Sequence, residues 1–256
     1  MPIDERLATS PRGGILYDAS RVRKPEEVFS LDRWRALGGL EEVAGGRGSV
    51  SILRSGEERW VLRHYRRGGW AAKVSSDRYL WLGATKTRSF MEWRLLKRLV
   101  ELGLPVPAPI AARYVRHTLT YQADLITEHL GATRTLADSI TGAALDREHW
   151  VKVGGTLAAF HAHGVQHADL NANNILLTDD ERSASAVYLL DFDRGRIRER
   201  GTWEQAVLAR LRRSLEKIRR LRSNVSFGDE QWSWLMAGYE QQLAEPRHSV
   251  APSARL

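Results

Sequence analysis

The chain of 256 residues has no cysteine. That excludes disulfides, thiolate metal centres and cysteine nucleophiles, and it permits a reducing compartment. Long apolar runs are also missing: no stretch approaches the roughly 18 apolar residues that a membrane-spanning helix needs. The opening residues MPIDERLATSPRGG lack the apolar core of a signal peptide, so the protein is expected to be made and kept in the cytoplasm. Internal repeats and low-complexity segments are absent as well. With 43% hydrophobic residues, the chain is long enough to bury a sizeable core in one or two domains.

Acidic residues run short in one region. Residues 194–222 hold eleven Lys/Arg against three Asp/Glu, a surplus of eight that equals the net charge of the whole chain, +8. The remainder is therefore balanced. A local basic patch suits an anionic partner such as nucleic acid, anionic lipid or a phosphorylated substrate; a solvated helix face is the plainer reading.

Residues 1–35 are polar with few core signals, and strand-poor structure is expected there. LEEVAGGRGSVSIL reads as strand, glycine turn, strand, and ERWVLRHY alternates as a third strand joined through a Ser55-Gly56 hairpin turn. RRGGWAAK reads as a loop. Phe90, Trp93, Leu96 and Val100 recur at helical spacing and predict a helix at about 87–102, stopped by Gly103 and Pro105. GLPVPAPIAARYV leads into further strands, of which TYQADLITEHL is the most apolar. In the second half, Leu145, Trp150, Val153, Leu157 and Phe160 fit one helix ended by Gly164. Another is expected over 203–221, with Leu208, Leu211, Leu215, Ile218 and Leu221 on one side and Arg212, Arg213, Lys217 and Arg220 on the others. The fold class is α+β: an N-terminal extension (1–35), a lobe built on a small antiparallel sheet with one helix (36–126), and a mainly helical lobe (127–256). A ligand cleft is expected between the lobes.

The chemistry concentrates in His167-Ala168-Asp169-Leu170-Asn171-Ala172-Asn173-Asn174, a loop between apolar segments that sets Asp169 and Asn174 five residues apart. Seventeen residues after Asn174, the apolar run Tyr188-Leu189-Leu190 ends on Asp191, followed by Phe192 and Asp193. Phosphoryl transfer needs one carboxylate to orient an attacking hydroxyl. It also needs an amide oxygen and a second carboxylate to hold Mg²⁺ against phosphates. Upstream, Gly45-Gly46-Arg47-Gly48-Ser49-Val50 lies between two strands, as a phosphate-covering loop does; without the full G-x-G-x-x-G spacing it also reads as a plain glycine hairpin.

The two motifs resemble the catalytic loop H-x-D-x-x-x-x-N and the metal motif D-F-G of the protein-kinase-like superfamily. The resemblance implies a bilobal protein-kinase-like fold with ATP as donor. Within it, Asp169 is the catalytic base, His167 supports the catalytic loop, and Asn174 and Asp191 are ligands to Mg²⁺. Asp193 replaces the motif's glycine, as in small-molecule kinases, and serves either as a further metal contact or as a partner of Arg194 or Arg196. Arg63 of WVLRHY occupies the position of the family's phosphate-gripping lysine, with Lys73 as the alternative and Glu92 as the partner glutamate. Gly46 and Gly48 fall in the phosphate-covering loop. Glu128 and Leu130 fall at a hinge whose backbone meets adenine.

Taken with LLDFDRGRIR, the segments RHYRRGGW, DRYLW, GLPVPAPIAA, YQADLIT and HADLNANNILL resemble the Kdo (3-deoxy-D-manno-octulosonic acid) kinases of the bacterial lipopolysaccharide-kinase group, over about residues 40–225. This implies ATP-dependent phosphorylation of the 4-hydroxyl of a Kdo sugar on a lipid A precursor, in lipopolysaccharide inner-core biosynthesis. It also implies a peripheral position on the cytoplasmic side of the inner membrane. Residues 194–222 with Arg63, Arg66, Arg67 and Lys73 would then face the anionic acceptor, at about 1 kcal/mol per cation near an anionic surface. Trp70, in the turn Gly68-Gly69-Trp70, would lie at the interface, over the sugar or in the core. The competing expectations are an aminoglycoside phosphotransferase-like small-molecule kinase, a RIO-like protein kinase and a catalytically inactive kinase-fold binding protein. No nucleic-acid partner is expected.

Overall fold

Alternating apolar residues in the first half pair into one antiparallel sheet. The structure, a computed structural model, describes residues 2–42, 50–66, 77–141, 144–178 and 186–245. The chain forms two compact units. The first comprises Met1–Thr133 together with His167–Asp169 and Tyr188–Arg196. Its elements are β1 (Glu5–Ser10), β2 (Gly13–Asp18), α1 (Leu31–Ala36), β3 (Leu40–Glu42), β4 (Val50–Ser55), β5 (Glu58–His64), β6 (Tyr79–Leu80), α2 (Arg88–Glu101), β7 (Pro109–His117) and β8 (Thr120–Glu128). The strands run in the order β1-β2-β7-β8-β5-β4-β3, with β6 added at the start of β8.

The expectation that residues 1–35 are poor in strands is corrected here. β1 and β2 form a hairpin in which Ser10 opposes Gly13, and β2 extends the sheet past β7 through Leu16↔Ala112. The signal was weak because β1, ERLATS, is an edge strand whose side chains are mostly exposed; edge strands avoid apolar residues that would template aggregation.

The period-2 pleat sorts each strand between two faces. On one face, Leu53, Trp60, Leu62 and Ile126 pack against Val22, Val28, Phe29 and Trp34 of the 19–37 segment, where Trp34 Nε1 donates to Val28 O at 2.9 Å. α2 covers the other. It buries Phe90, Trp93, Leu96 and Leu99, sets the Phe90 ring edge-on to Tyr114 at 5.2 Å and donates from Ser89 Oγ to Arg113 O at 2.9 Å. Complete burial of such side chains contributes roughly 1.5–3 kcal/mol each. α2 stops because Gly103, at φ 70°, takes the left-handed conformation, letting Leu104 N–H reach back to Leu99 O at 3.0 Å.

The second unit comprises Arg134–Gln166, Leu170–Val187 and Ile197–Leu256. Its helices are α3 (Leu136–Ser139), α4 (Arg147–Ala162), α5 (Trp203–Leu221) and α6 (Asp229–Ala244). The short strands of the later chain are β9 (Thr133–Thr135), β10 (Val165–Gln166), β11 (Ile175–Thr178), β12 (Val187–Leu189) and β13 (Arg196–Ile197). α4 starts at an Asp146 cap whose carboxylate accepts from His149 N at 2.9 Å, so Leu145 falls before the helix rather than in it. α4 and α6 pack backbone to backbone: a Cβ on Gly154 would lie 1.9 Å from Leu235 O, and one on Gly238 would lie 2.1 Å from Val151 O. The buried stripe of α5 is Trp203, Val207, Leu208, Leu211 and Leu215, whereas Leu221, expected on that side, is exposed. Among the described residues no helix is long and apolar enough to cross a membrane.

Candidate active site

With Trp60 and Leu62 of β5 turned into the core cluster, the pleat sends Arg63 to the face covered by α2. There the guanidinium meets Glu92. Its Nη2 donates to both carboxylate oxygens at 2.6 Å, and its Nη1 donates to Asp191 Oδ1 at 2.5 Å. Tyr65, two residues along on the same face, donates its hydroxyl to Glu92 and lies beneath the Arg63 guanidinium at 4.8 Å. The Glu92 side chain is 2% exposed and that of Asp191 39%. One arm of the bridge is therefore dry and the other open to solvent.

Burial pushes the Glu92 carboxyl above its ordinary value, against the pull of Arg63 and Tyr65. Burial also opposes the charge on Arg63, but Glu92, Tyr65 and Asp191 outweigh it and hold the guanidinium well above its usual value. The Tyr65 phenol is raised well above 10 by burial and by Glu92, so it stays a neutral donor. A fixed cation thus spans Glu92 of α2 and Asp191, two residues past the end of β12.

Asp191 has φ 61°, a left-handed conformation uncommon outside glycine. Its neighbours hold it there. Leu189 N–H donates to Pro105 O at 3.1 Å. Leu190 O accepts from His167 Nε2 at 2.8 Å, and Asp169 N–H donates to His167 Nδ1 at 3.1 Å. That pattern assigns the Nε2-protonated tautomer. His167 is buried, with its ring 4.8 Å from that of Phe192. Both ring nitrogens are committed to backbone, so His167 positions Asp169 and Asp191, while the Asp169 side chain is exposed.

Asp193 bonds with both carboxylate oxygens to Arg88, whose Nε donates to Oδ1 at 2.7 Å. Its partner is therefore the residue that opens α2, rather than Arg194 or Arg196, and the fork occupies the carboxylate proposed as an extra metal contact. Arg88 also stacks over Tyr79 at 4.6 Å. Sequence reading missed Tyr65 and Arg88. Each carried a signal: Tyr65 follows Arg63 by two in the alternating run ERWVLRHY, and Arg88 precedes Glu92 by four on a helix, so each shares a face with an expected site residue.

Asn174 closes a 3-10 turn (Ala172–Asn174) in the second unit, half-buried, with its N–H on Asn171 O at 3.0 Å. Ser214 Oγ of α5 accepts from Ala172 N at 3.2 Å and fixes the turn. At the end of β8, Glu128 N–H donates to Ala108 O and His129 N–H to Arg59 O, both at 2.9 Å. The Glu128 carboxylate takes Arg21 at 3.3 Å. Leu130 follows, half-buried and outside any strand. Gly46, Gly48, Arg67, Gly68-Gly69-Trp70 and Lys73 lie outside the described residues.

Among the described residues no group of three or more His, Cys, Asp or Glu converges as a metal cluster. Mg²⁺ does not need one, since it commonly takes one or two protein oxygens and completes its shell with phosphates and water. A solvent-accessible carboxylate at Asp191 and an amide oxygen at Asn174 have the hard-donor chemistry it requires.

A strand cation paired with a helix glutamate, beside a strand-end aspartate, on an antiparallel sheet followed by a mainly helical unit, defines the protein-kinase-like class. A solved structure titled "WaaP in complex with acyl carrier protein" shares this fold, with a TM-score of 0.55 at 16% identity over 85% of this chain and 87% of that one. The family model described as "Lipopolysaccharide kinase (Kdo/WaaP) family" matches residues 32–239, and the chain belongs to that family. It is similar to proteins named 3-deoxy-D-manno-octulosonic acid kinase. The one from Xylella fastidiosa (strain M23) is 43% identical over 212 residues, 82% of this chain and 83% of the relative. That from Stenotrophomonas maltophilia (strain R551-3) is 45% identical over 217 residues, again 82% and 83%.

Proposed function

We propose that the protein transfers the γ-phosphoryl group of ATP to the 4-hydroxyl of a Kdo sugar on a lipid A precursor, working at the cytoplasmic face of the inner membrane. The observation that carries this reading is the bridged Glu92–Arg63–Asp191 centre in a chain 43–45% identical, over most of its length, to proteins named as Kdo kinases.

In this reading Asp169 orients the sugar hydroxyl and takes its proton as the oxygen forms its bond to the γ-phosphorus. The bond from that phosphorus to the bridging oxygen breaks, and ADP leaves with the electron pair. Arg63 turns part of its fork to the donor phosphates, for which a planar guanidinium suits bidentate contact. Glu92 and Tyr65 keep it from swinging away, so the charge is in place before the transition state forms. His167 holds Asp169 and Asp191 in register through the backbone. Asp191 and, by the motif, Asn174 would hold Mg²⁺, which neutralises charge on the donor phosphates when bound. At the hinge, where the N–H groups of Glu128 and His129 are taken by Ala108 and Arg59, adenine would, by the motif, meet the backbone at Glu128 and Leu130. Gly46 and Gly48 would cover the phosphates.

Incubating the protein with ATP, Mg²⁺ and a Kdo-bearing lipid A precursor tests the proposal. One phosphate gained on Kdo supports it; consumption of ATP with a cationic sugar or a peptide in place of Kdo-lipid refutes it.

A further inference from the structure

Three large apolar side chains are left in solvent at one end of the first unit's sheet: Leu80 is 61% exposed, Leu82 65% and Leu119 74%. The topology brings them together. β6 pairs with the start of β8 through Leu80↔Thr120, and Trp81 N–H donates to Leu119 O at 2.9 Å. Leu119 lies at the tip of the β7–β8 hairpin, where Thr118 takes φ 47°. The ring of Trp81, between the leucines, is 5.1 Å from that of Tyr114 and is capped by Arg116 at 5.0 Å. Scattered exposed leucines need no explanation, but three on adjoining segments do.

Cations surround them. Arg12, Arg78, Lys86 and Arg116 are exposed on the same and neighbouring segments. Arg12 is tied to this end by its carbonyl, which accepts from Arg116 N at 2.7 Å. Among the described residues neither Arg12, Arg78 nor Lys86 forms an ion pair. A hollow of about 530 Å³ lies between the two hairpin tips, lined by Arg12, Arg116, His117, Thr118, Pro11 and Val115. Leucines exposed on a short edge strand, on the segment after it and at a hairpin tip, with exposed cations on the same segments and a basic hollow beside them, match the two layers of an anionic bilayer surface: acyl chains inside, phosphate headgroups outside. An acidic protein would satisfy the cations but would leave three projecting leucines without an apolar counterpart. By contrast, α5 carries the densest charge of the sequence, but its one large exposed apolar residue, Leu221, stands at its last position.

We infer that this end of the sheet is the protein's docking surface for a lipid bilayer with anionic headgroups, with Leu80, Leu82 and Leu119 inserted and Arg12, Arg78, Lys86 and Arg116 on the headgroup phosphates. The inference deepens the proposed function and rests on it for the identity of the acceptor. The same segment joins docking surface and site. From Leu82 it reaches Arg88, the partner of Asp193, in six residues, at most about 22 Å of chain. The docking surface therefore lies within about 22 Å of the Arg88–Asp193 fork, and Asp193 is two residues from Asp191.

The test is flotation of the full chain with vesicles of phosphatidylcholine alone or mixed with phosphatidylglycerol. Wild type is expected to float with the mixed vesicles. Leu80→Ser/Leu82→Ser/Leu119→Ser should bind them at least about tenfold more weakly, and Arg12→Gln/Arg78→Gln/Lys86→Gln should lose the preference for the anionic lipid. Leu119→Ser alone, at a turn tip, repeats the direction of change with no load on folding. Wild-type affinity in the triple serine variant overturns the inference, as does failure of wild type to bind either vesicle. A serine variant that changes molar mass in light scattering while keeping its vesicle affinity marks a protein interface and also overturns it. Phosphorylation of a water-soluble Kdo acceptor lacking acyl chains should be unchanged in the serine variant. If wild type phosphorylates no Kdo acceptor yet loses vesicles on serine substitution, the docking surface stands and the functional reading falls.

Discussion

Arg63→Ala is the most informative single change, because the two arms of the bridge differ in burial. On the Glu92 side, two 2.6 Å charge-assisted bonds disappear from a carboxylate that is 2% exposed, leaving the Tyr65 hydroxyl as its donor. Removing one partner of a buried pair costs about 3–5 kcal/mol, mostly the penalty of the stranded charge. On the Asp191 side the carboxylate is 39% exposed, water replaces the lost bond, and the contribution is about 0–1 kcal/mol. At roughly 2–4 °C per kcal/mol for a chain of this size, the melting temperature should fall by about 6–24 °C. The loss should also depend on pH. Burial already raises the Glu92 carboxyl above its ordinary 4.5, and without Arg63 it must rise further. Above pH 4.5 the folded variant then holds a proton that the unfolded chain has released, so its stability falls as pH rises through the folded value. Calorimetry should find the deficit small near pH 5 and growing toward pH 8, with Arg63→Lys recovering part of it. A drop below about 2 °C, or one that is the same at every pH, would refute the reasoning.

Other consequences are as direct. His161 is buried with its Nδ1 2.8 Å from the Tyr239 hydroxyl, and burial lowers its pKa to about 4. Its depressed value means that stability is lost as pH falls from 6.5 through about 4, by about 3 kcal/mol in all, and His161→Gln should flatten the calorimetric profile across that window. Gly154→Ala would drive a methyl into Leu235 O and part α4 from α6, at about 1–3 kcal/mol or more by urea denaturation. His167→Ala releases Leu190 O and Asp169 N–H. It should lower kcat by about 10–100-fold through misplacement with nucleotide Kd little changed; equal losses in both would assign His167 a binding role instead.

Those elements were legible in the sequence whose pattern was regular and locally determined. α5 spans the 203–221 expected of it and α2 begins and ends within a residue of expectation, because amphipathic spacing and Gly103 fix both. Polar elements were not legible. β1 is an exposed edge, and α6 has a mixed sequence, DEQWSWLMAGYEQQLA, that packs through Gly238 rather than a leucine stripe. At the site, the motifs nominated Arg63, Glu92 and Asp191 separately; the spacing of 29 residues between the first two and 128 between the outer pair carries no sign that one guanidinium spans both. The Arg88–Asp193 fork was hidden for the same reason, since 105 residues separate its partners.

The central claim is transfer of a phosphoryl group to Kdo with Asp169 as the base, and mass spectrometry of the acceptor tests it most directly. Wild type with ATP and Mg²⁺ should add one phosphate to the Kdo of a Kdo–lipid A precursor. Asp169→Ala, at an exposed side chain, should melt as wild type does and turn over at least about 100-fold more slowly. An unmodified acceptor with wild type, or wild-type turnover in Asp169→Ala, would contradict the account.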